Sequence, residues 1–220
     1  MSARYATRIH VLDHPLAQAI LTQLRDRNTD QITFRKGVVK VGRLMGYEMI
    51  RSFQTSRIEV TTPLGAKAEG IQIPDMDHVV IVNVLRAAMP LVEGLLKAFP
   101  LARQGVMAIQ RTEDRPGVEN IRAVRYFSKL PAIHTEDTTI VADPMLATGS
   151  TILETLKEVE RIGTPKRTLI ASVISCDYGI ERVFSYNQGV ELYTLAVDHE
   201  LNDKAYIVPG LGDAGDRSFG

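Results

Sequence analysis

The feature that most constrains the fold is a series of short apolar runs, rich in Val, Ile and Thr, that begins at residue 78. Helical segments lie between several of these runs. Strands buried on both faces have this composition, and alternation with helices is typical of a parallel sheet. The sequence therefore predicts an α/β fold with a central, mostly parallel sheet flanked by helices. The predicted strands are HVVIVNVL, GVMAIQ, TTIVAD, TLIASVIS and VELYTLAV; the helical segments include LVEGLLKAF, STILETLKEVERI and IERVFSYN.

The residues before position 78 follow a different pattern, which predicts two helices and a hairpin. Pro15 suits the first turn of a helix over PLAQAILTQLRD, where Leu16, Ile20 and Leu24 recur one turn apart. A second helix is predicted over FRKGVVKVGRLMGYEMI. Two β-type runs around a Pro-Leu-Gly turn predict a hairpin over residues 57–73. Because no composition break marks a linker, we expect residues 1–220 to form a single domain with these segments as an extension.

Composition excludes several classes of function. The 26 basic and 26 acidic residues cancel, so no overall basic field favours nucleic acid as a partner. No segment approaches the length of a membrane-spanning apolar run, and MSARYATRIHVLDHP lacks the apolar core of a signal peptide. The single cysteine, Cys176, excludes a disulfide framework and favours a reducing compartment. We therefore expect a cytoplasmic protein that binds neither nucleic acid nor membrane.

Charged side chains follow three of the predicted strands. Arg86 comes after NVL, Arg111 after AIQ, and Asp143 after TTIVA. In open parallel sheets the ligand site lies beyond the carboxyl ends of the strands. Two arginines and a carboxylate at that edge predict a site for a polyphosphorylated ligand.

The segment Ala147-Thr148-Gly149-Ser150-Thr151 opens the helix that follows Asp143. A helix N-terminus with a glycine turn offers unpaired N–H groups and a partial positive charge, so it can hold a phosphate without a lysine. The segment is neither a Walker A loop nor a dinucleotide fingerprint. On the turn alone, a helix start that is simply well capped is an equally good interpretation.

Two long motifs carry a family resemblance. The stretch VADPMLATGST, Val141 to Thr151, together with the apolar run before it, resembles the ribose-phosphate motif of type I phosphoribosyltransferases. Proline at the second acidic position, in DPMLATG, is similar to the uracil phosphoribosyltransferase family, particularly its archaeal members. YIVPGLGDAGDR, residues 206–217, is similar to that family's uracil-binding segment, and VLRAAMPLVEG and ARQGV fit in order and spacing.

The chain departs from most phosphoribosyltransferases at this motif. They carry two adjacent acids, and often another just before the T-G pair, where this chain has Asp143-Pro144 and Ala147. The uracil family generally shares this loss, so the departure favours that family over other phosphoribosyltransferases. It also puts in doubt any general base at this turn.

The resemblance implies a pentosyltransferase of pyrimidine salvage, which converts uracil and 5-phosphoribosyl 1-diphosphate (PRPP) to UMP and diphosphate. Asp143 would bind the ribose hydroxyls, while Arg86 and Arg111 would neutralise the departing diphosphate. Mg²⁺ would arrive with PRPP rather than in a protein cage. The catalytic residues implied are Arg86, Arg111, Asp143 and Asp213. The PRPP-binding residues implied are Arg86, Arg111, Asp143, Pro144, Met145, Leu146, Ala147, Thr148, Gly149, Ser150, Thr151 and Asp213.

The resemblance assigns uracil binding to Ile207, Gly212, Asp213 and Ala214. Backbone N–H and C=O groups cannot exchange roles as a rotating amide side chain can. A glycine-rich segment that wraps the base through its main chain would therefore distinguish uracil from cytosine, by roughly 10⁴-fold where the wrong base leaves buried groups unpaired.

Three further expectations concern closure, regulation and assembly. Residues 111–125 are either a mobile hood over the diphosphate or an ordinary solvated hairpin. The resemblance places an activating GTP at residues 36–40, and implies CTP as an inhibitor; a solvated helix face is the other interpretation. It also implies a homo-oligomer, dimer or tetramer. Separately from the resemblance, we expect the 57–73 hairpin to pack between subunits. The effector residues implied are Lys36, Gly37, Val38, Val39 and Lys40.

Two other functions stay open at this point. A transferase of the same fold could use a purine, although the residue 206–217 segment argues against it. Alternatively, a regulator with this fold could bind nucleotide or RNA with little catalysis. Its neutral charge gives no sign of an RNA surface.

Overall fold

A computed structural model describes residues 3–113 and 121–220 of the chain. Its α-helices are α1 (Pro15–Arg25), α2 (Gln31–Ile50), α3 (Met89–Ala98), α4 (Ser150–Ile162), α5 (Asp177–Tyr186) and α6 (Ala214–Phe219). Its strands are β1 (Ile9–Val11), β2 (Ser56–Thr61), β3 (Lys67–Gln72), β4 (Val79–Leu85), β5 (Arg103–Glu113), β6 (Ile121–Lys129), β7 (Thr138–Ala142), β8 (Met145–Leu146), β9 (Arg167–Ala171), β10 (Ile174–Cys176), β11 (Val190–Thr194), β12 (Ala196–Asp198), β13 (Glu200–Leu201) and β14 (Ile207–Val208). Short 3₁₀ helices cover Ala3–Arg8 and Pro74–Asp77.

The central sheet confirms the predicted fold class. Within the described residues it has the strand order β1-β11-β9-β7-β4-β5-β6, and every neighbouring pair is parallel except β5 and β6. The middle strands β7 and β4 are buried almost throughout, as their apolar runs require. Their carboxyl ends therefore lie side by side.

Two of the predicted strands are each divided into two. TLIASVIS forms β9 and β10, and VELYTLAV forms β11 and β12, so that β10 and β12 join β8 in a smaller parallel sheet. The reason is the buried Ser172, whose hydroxyl donates to the Asp143 carbonyl at 2.8 Å, while the Val173 amide donates to the Pro144 carbonyl at 2.9 Å. These bonds redirect the chain toward the segment that follows β7.

Helices pack on both faces of the sheet. Val79 and Ile81 of β4 cluster with α3 residues, whereas Val80 and Val82 cluster with Val159 of α4. On the first face α2 approaches α3 closely at Gly42, which has no Cβ. A Cβ at this position would lie 2.2 Å from a backbone oxygen of α3. The face of α2 predicted from periodicity is buried, and it comprises Phe34, Val38, Val41 and Met45.

The helix predicted over residues 15–26 is α1, and its buried residues include Ile20 and Leu24. Leu16, one turn earlier, is exposed. α2 begins at Gln31, three residues earlier than the predicted FRKGVVK start, because the Asp30 side chain accepts from the Thr33 amide and caps the helix.

The predicted hairpin is formed by β2 and β3, which pair from Ser56–Gln72 to Thr61–Lys67. It carries exposed apolar side chains, among them Leu64 at its tip, which is 95% exposed, and Ile71.

Strands occupy much of the predicted hood. β5 continues to Glu113 and β6 begins at Ile121, while residues 114–120 lie outside the described part of the chain. The expectation that Arg111 follows a strand end is therefore wrong, because Arg111 pairs with Ala123 inside the β5–β6 ladder. β4 pairs with β5 only as far as Ala108, so Arg111 still lies beyond the carboxyl end of β4.

Candidate active site

Arg86 and Asp143 lie at the carboxyl ends of two adjacent strands, as predicted. Arg86 directly follows β4, and Asp143 directly follows β7. The Leu85–Arg86 peptide bond is cis. The Arg86 side chain is 59% exposed, and its Nη2 lies 3.4 Å from Oδ1 of Asp216 in α6. This contact brings the C-terminal segment to the end of β4.

The backbone on both sides fixes Asp143 at the strand end. Its amide donates to the Ala171 carbonyl at 3.1 Å, and its own carbonyl accepts from Ser172. The carboxylate is buried, and its Oδ1 accepts from the Met145 amide at 3.3 Å. The carboxylate therefore adjoins the turn that follows.

The segment predicted to bind a phosphate forms the turn between β8 and α4. Gly149, with φ of +77°, occupies the left-handed region at the N-cap of α4. The Thr148 and Ser150 hydroxyl oxygens are 3.2 Å apart, and the Ser150 amide donates to Thr148 Oγ1 at 3.4 Å. The first amides of α4 have no acceptor within the helix, so the turn presents N–H groups and hydroxyls together. The turn lies in a shallow concavity with Asp143 at its rim.

Ile207 of the predicted base-binding segment is buried in β14, which pairs with β13. The Val208–Pro209 peptide bond is cis. Gly212 has a φ of +79°, which favours glycine. Together they direct the chain from β14 to α6, next to Arg86.

The second half of this segment differs from the predicted glycine-rich wrap. Ala214–Phe219 form α6, and the Asp213 side chain caps that helix by accepting from the Asp216 amide at 3.0 Å. The extended, main-chain part of the segment therefore ends at Asp213. Asp213 itself is half-buried, and its carboxylate has a structural role as the cap of this helix.

Among the described residues, no group of three or more His, Cys, Asp and Glu side chains is placed to hold a metal ion. Asp143 and Asp213 are nevertheless single carboxylates at this edge. In the described ranges, no helix has the length and apolar character needed to cross a membrane.

Comparisons with known proteins agree with this geometry. The family model described as uracil phosphoribosyltransferase matches residues 11–220. The chain belongs to the uracil phosphoribosyltransferase family. It is 55% identical to a protein of that description from Pyrobaculum islandicum and 52% identical to one from Metallosphaera sedula; each alignment covers 96% of this chain, with 98% and 99% of the relative.

Solved structures show the same relationship. A protein of Aquifex aeolicus, 31% identical, has a TM-score of 0.86 and covers 96% of this chain and 97% of its own. An adenine phosphoribosyltransferase from Trypanosoma brucei, 12% identical, has a TM-score of 0.53 over 88% of this chain and 84% of its own. The second likeness extends the fold to type I phosphoribosyltransferases.

Sequence reasoning missed the support that α5 gives to the phosphate turn. Arg182 donates to the Thr148 carbonyl at 2.7 Å and to the Ser150 hydroxyl at 3.1 Å. A Cβ at Gly179 would lie 2.3 Å from the Ala147 carbonyl oxygen. Neither residue stands in a motif, so only their position beside the turn reveals them.

The five effector residues predicted at 36–40 lie in α2. Lys36 and Lys40 are exposed, one turn apart. Gly37 and Val38 are buried, and Gly37 packs against Leu24 of α1. Side chains of the two lysines are therefore the parts of this segment that face solvent; Val39 is half-buried.

Proposed function

We propose that this member of the uracil phosphoribosyltransferase family transfers the 5-phosphoribosyl group of PRPP to uracil, giving UMP and diphosphate, with residues 1–220 acting as one domain. The observation that carries the proposal is the contact between Arg86 and Asp216. It joins a cation at the carboxyl end of β4 to the segment that resembles a base-binding motif, beside the strand that ends in Asp143.

The 5-phosphate is assigned to the turn at 147–151. The amides at the start of α4 and the hydroxyls of Thr148, Ser150 and Thr151 are donors for phosphate oxygens. Gly149 and the small Ala147 allow the backbone to approach the anion. Pro144, Met145 and Leu146 lead the chain from Asp143 into this turn, and they complete the PRPP contact segment.

The chemical step breaks the bond between C1 of ribose and the diphosphate oxygen, which leaves with the bonding electron pair. It forms a bond from C1 to a ring nitrogen of uracil, which loses its proton to the surrounding water. Negative charge grows on the departing diphosphate, so a fixed cation accelerates the step. Arg86 has that role, with Arg111 from the β5–β6 extension as a second cation. The Asp143 carboxylate accepts hydrogen bonds from the ribose hydroxyls and orients the sugar.

Mg²⁺ fits this site as a companion of the substrate. The ion commonly uses one or two carboxylates together with substrate phosphates. Asp213 qualifies because its cap uses one carboxylate oxygen, and a carboxylate has about four lone-pair sites. When bound, the metal supplies additional positive charge to the diphosphate oxygens.

Uracil is assigned to main-chain groups of Ile207, Gly212, Asp213 and Ala214. Gly212 has a left-handed φ, and Ala214 is buried at the start of α6. A rigid main chain presents donors and acceptors in a fixed order, which matches uracil and leaves cytosine with unpaired groups.

Regulation and assembly extend the proposal. Lys36 and Lys40 form a basic pair for the phosphates of an activating GTP, and CTP acts as an inhibitor. The exposed hairpin of β2 and β3 packs between the subunits of a homo-oligomer. Loss of GTP activation on replacing both lysines by alanine tests the first statement, and unchanged activation would exclude it. The buried, free Cys176 suits the reducing cytoplasm.

One assay tests the function: UMP formation from PRPP and each pyrimidine base, with and without GTP and CTP. We expect turnover with uracil and a kcat/KM for cytosine that is lower by roughly 10⁴-fold. RNA binding that weakens with salt, without turnover on any base, would instead support the regulator. Membership of the uracil phosphoribosyltransferase family disfavours that alternative.

A further inference from the structure

The main chain leading to α6 is held by an ion pair that no motif includes. Arg25, the last residue of α1, binds Asp198 at the end of β12 through two parallel hydrogen bonds of 2.8 and 2.9 Å. The Asp198 side chain is 8% exposed and that of Arg25 is 24% exposed. Bidentate pairs of this kind fix the relative orientation of the two groups.

Both backbone groups of Gly210 bind this pair. The Gly210 carbonyl accepts from Arg25 Nη1 at 2.8 Å, and the Gly210 amide donates to Asp198 Oδ2 at 3.1 Å. Gly210 has a φ of +62°, and its position would place a Cβ 1.9 Å from the Ile207 carbonyl oxygen. The pair therefore sets the orientation of the peptide units on both sides of Gly210.

A second arginine ties the same segment to the same end of α1. Arg217 Nη1 donates to the Leu211 carbonyl at 2.9 Å, and its Nη2 donates to the Asp26 carbonyl at 2.7 Å. Its guanidinium also stacks on Phe34 at 4.2 Å, and burial lowers the pKa of Arg217. The Arg25–Asp198 pair thus binds Gly210 and Arg217 binds Leu211, and both of these residues lie between Ile207 and Asp213.

We propose that the Arg25–Asp198 pair is a specificity-positioning element: by clamping Gly210 it fixes the register in which the main chain at 212–214 meets the pyrimidine. Neither side chain is assigned a contact with substrate. The proposal rests on the function proposed above. It predicts that weakening the pair affects recognition of the base more than binding of PRPP, because most of the residues assigned to PRPP lie at 143–151, outside the clamped segment.

The Arg167–Glu191 pair is the matched control. Its N···O distance is 2.9 Å, each side chain is 25% exposed, and it joins the starts of β9 and β11. It makes no contact with the 206–220 segment among the described residues. Loss of this pair therefore reports the general cost of removing a half-buried ion pair.

The experiment compares Arg25→Lys and Asp198→Asn with Arg167→Lys and Glu191→Gln, measuring KM for uracil, KM for PRPP and the ratio of kcat/KM for uracil to that for cytosine. Hydrogen bonds to charged groups are worth a factor of about 10 to 100. We expect the first two variants to raise KM for uracil by roughly tenfold or more and to lower the selectivity ratio by a similar factor. KM for PRPP should change less than about twofold, as should every parameter of the controls.

The double variant Arg25→Met with Asp198→Leu covers the case in which single variants fail to fold, because replacing both members of a buried pair by apolar residues is often tolerated. It should fold and show the same loss of selectivity. Equal changes in both KM values, or unchanged selectivity in a folded double variant, would overturn the positioning role. A wild-type protein inactive on uracil would overturn the proposed function and this role with it. Normal wild-type turnover on uracil, together with Arg25 and Asp198 variants that keep the wild-type KM for uracil and the wild-type selectivity, would overturn the positioning role alone.

Discussion

The two ends of the central sheet use the same residue types in opposite ways. At the amino ends of the strands, Arg103 binds Asp137, Lys166 lies 2.9 Å from Asp75, and Arg167 lies 2.9 Å from Glu191. At the carboxyl ends, the Arg86 guanidinium is more than half exposed and its ion partner, Asp216, is 3.4 Å away on the C-terminal helix.

The pKa values of two carboxylates at the amino ends reflect their pairing. Burial acts to raise the pKa of Asp137, but hydrogen bonds from the His134 amide and from Arg103 outweigh it, so that the pKa is lowered. The pKa of Glu191 is lowered in the same way, with Arg167 and His10 outweighing the effect of burial. Charges at the amino end therefore stabilise the native chain, whereas the Arg86 guanidinium at the carboxyl end is largely exposed to solvent.

The largest effect should follow from removing a buried charge at the amino ends of the strands. Asp137→Asn removes the charge from a fully buried side chain that Arg103 and the His134 amide both bind. Leaving a buried partner uncompensated costs about 3–5 kcal/mol of unfolding free energy. Chemical denaturation measures this change, and kcat under native conditions should stay within about twofold of wild type. A variant of normal stability would contradict the comparison.

Removing a charge at the carboxyl ends of the strands should instead lower activity and leave stability nearly unchanged. Arg86→Gln should lower kcat by roughly 10²–10³-fold, the usual cost of removing one charge-stabilising group. The unfolding free energy should change by less than about 0.5 kcal/mol, because the side chain is largely exposed. Steady-state kinetics and denaturation on the same sample test both statements. Arg103→Gln is the matched arginine control, and it should lose stability while keeping kcat.

A methyl group beneath the phosphate turn should sharpen the comparison. In Gly179→Ala the new Cβ would lie 2.3 Å from the Ala147 carbonyl oxygen, so the turn must shift to make room for it. Overpacking of this kind costs about 1–3 kcal/mol. KM for PRPP should rise roughly tenfold or more, with a smaller change in KM for uracil. Gly70→Ala in the hairpin, where a new Cβ would meet only Ile58 at 3.8 Å, is a control for replacing a glycine without overpacking.

The smallest effect concerns pH. The lowered pKa of Asp137, whose ordinary value is 3.8, means that its stabilisation is complete above that value and disappears as pH falls through the lowered pKa. The stability difference between wild type and Asp137→Asn should therefore be constant from about pH 5 to 8 and shrink below about pH 4. A difference that grew on acidification would show that the carboxylate is not stabilised in the native state.

The sequence predicted the sheet and the two strand-end residues for a clear reason. Strands buried on both faces need continuous apolar runs, so β4 and β7 are visible in composition, and the residues after them must lie at one edge. The break after β9 was not predictable, because it depends on the Ser172 hydroxyl donating to the Asp143 carbonyl. The break after β11 was not predictable either, because there the Leu195 amide donates to the Val173 carbonyl of the neighbouring segment. The position of Arg111 was predicted wrongly for a similar reason. β5 continues past the predicted strand end because it pairs with β6.

What the sequence by itself determined is therefore the layer architecture, the phosphate turn and the motif at 206–217, all of which depend on local composition and order. Only the tertiary structure decided that Arg182 and Gly179 support the turn and that Arg25 and Asp198 hold Gly210. The physical reason is that Arg25 and Asp198 stand 173 positions apart in the chain, and hydrogen bonds act over about 3 Å. Such a partnership leaves no periodic or local pattern, and it exists only once the chain has folded.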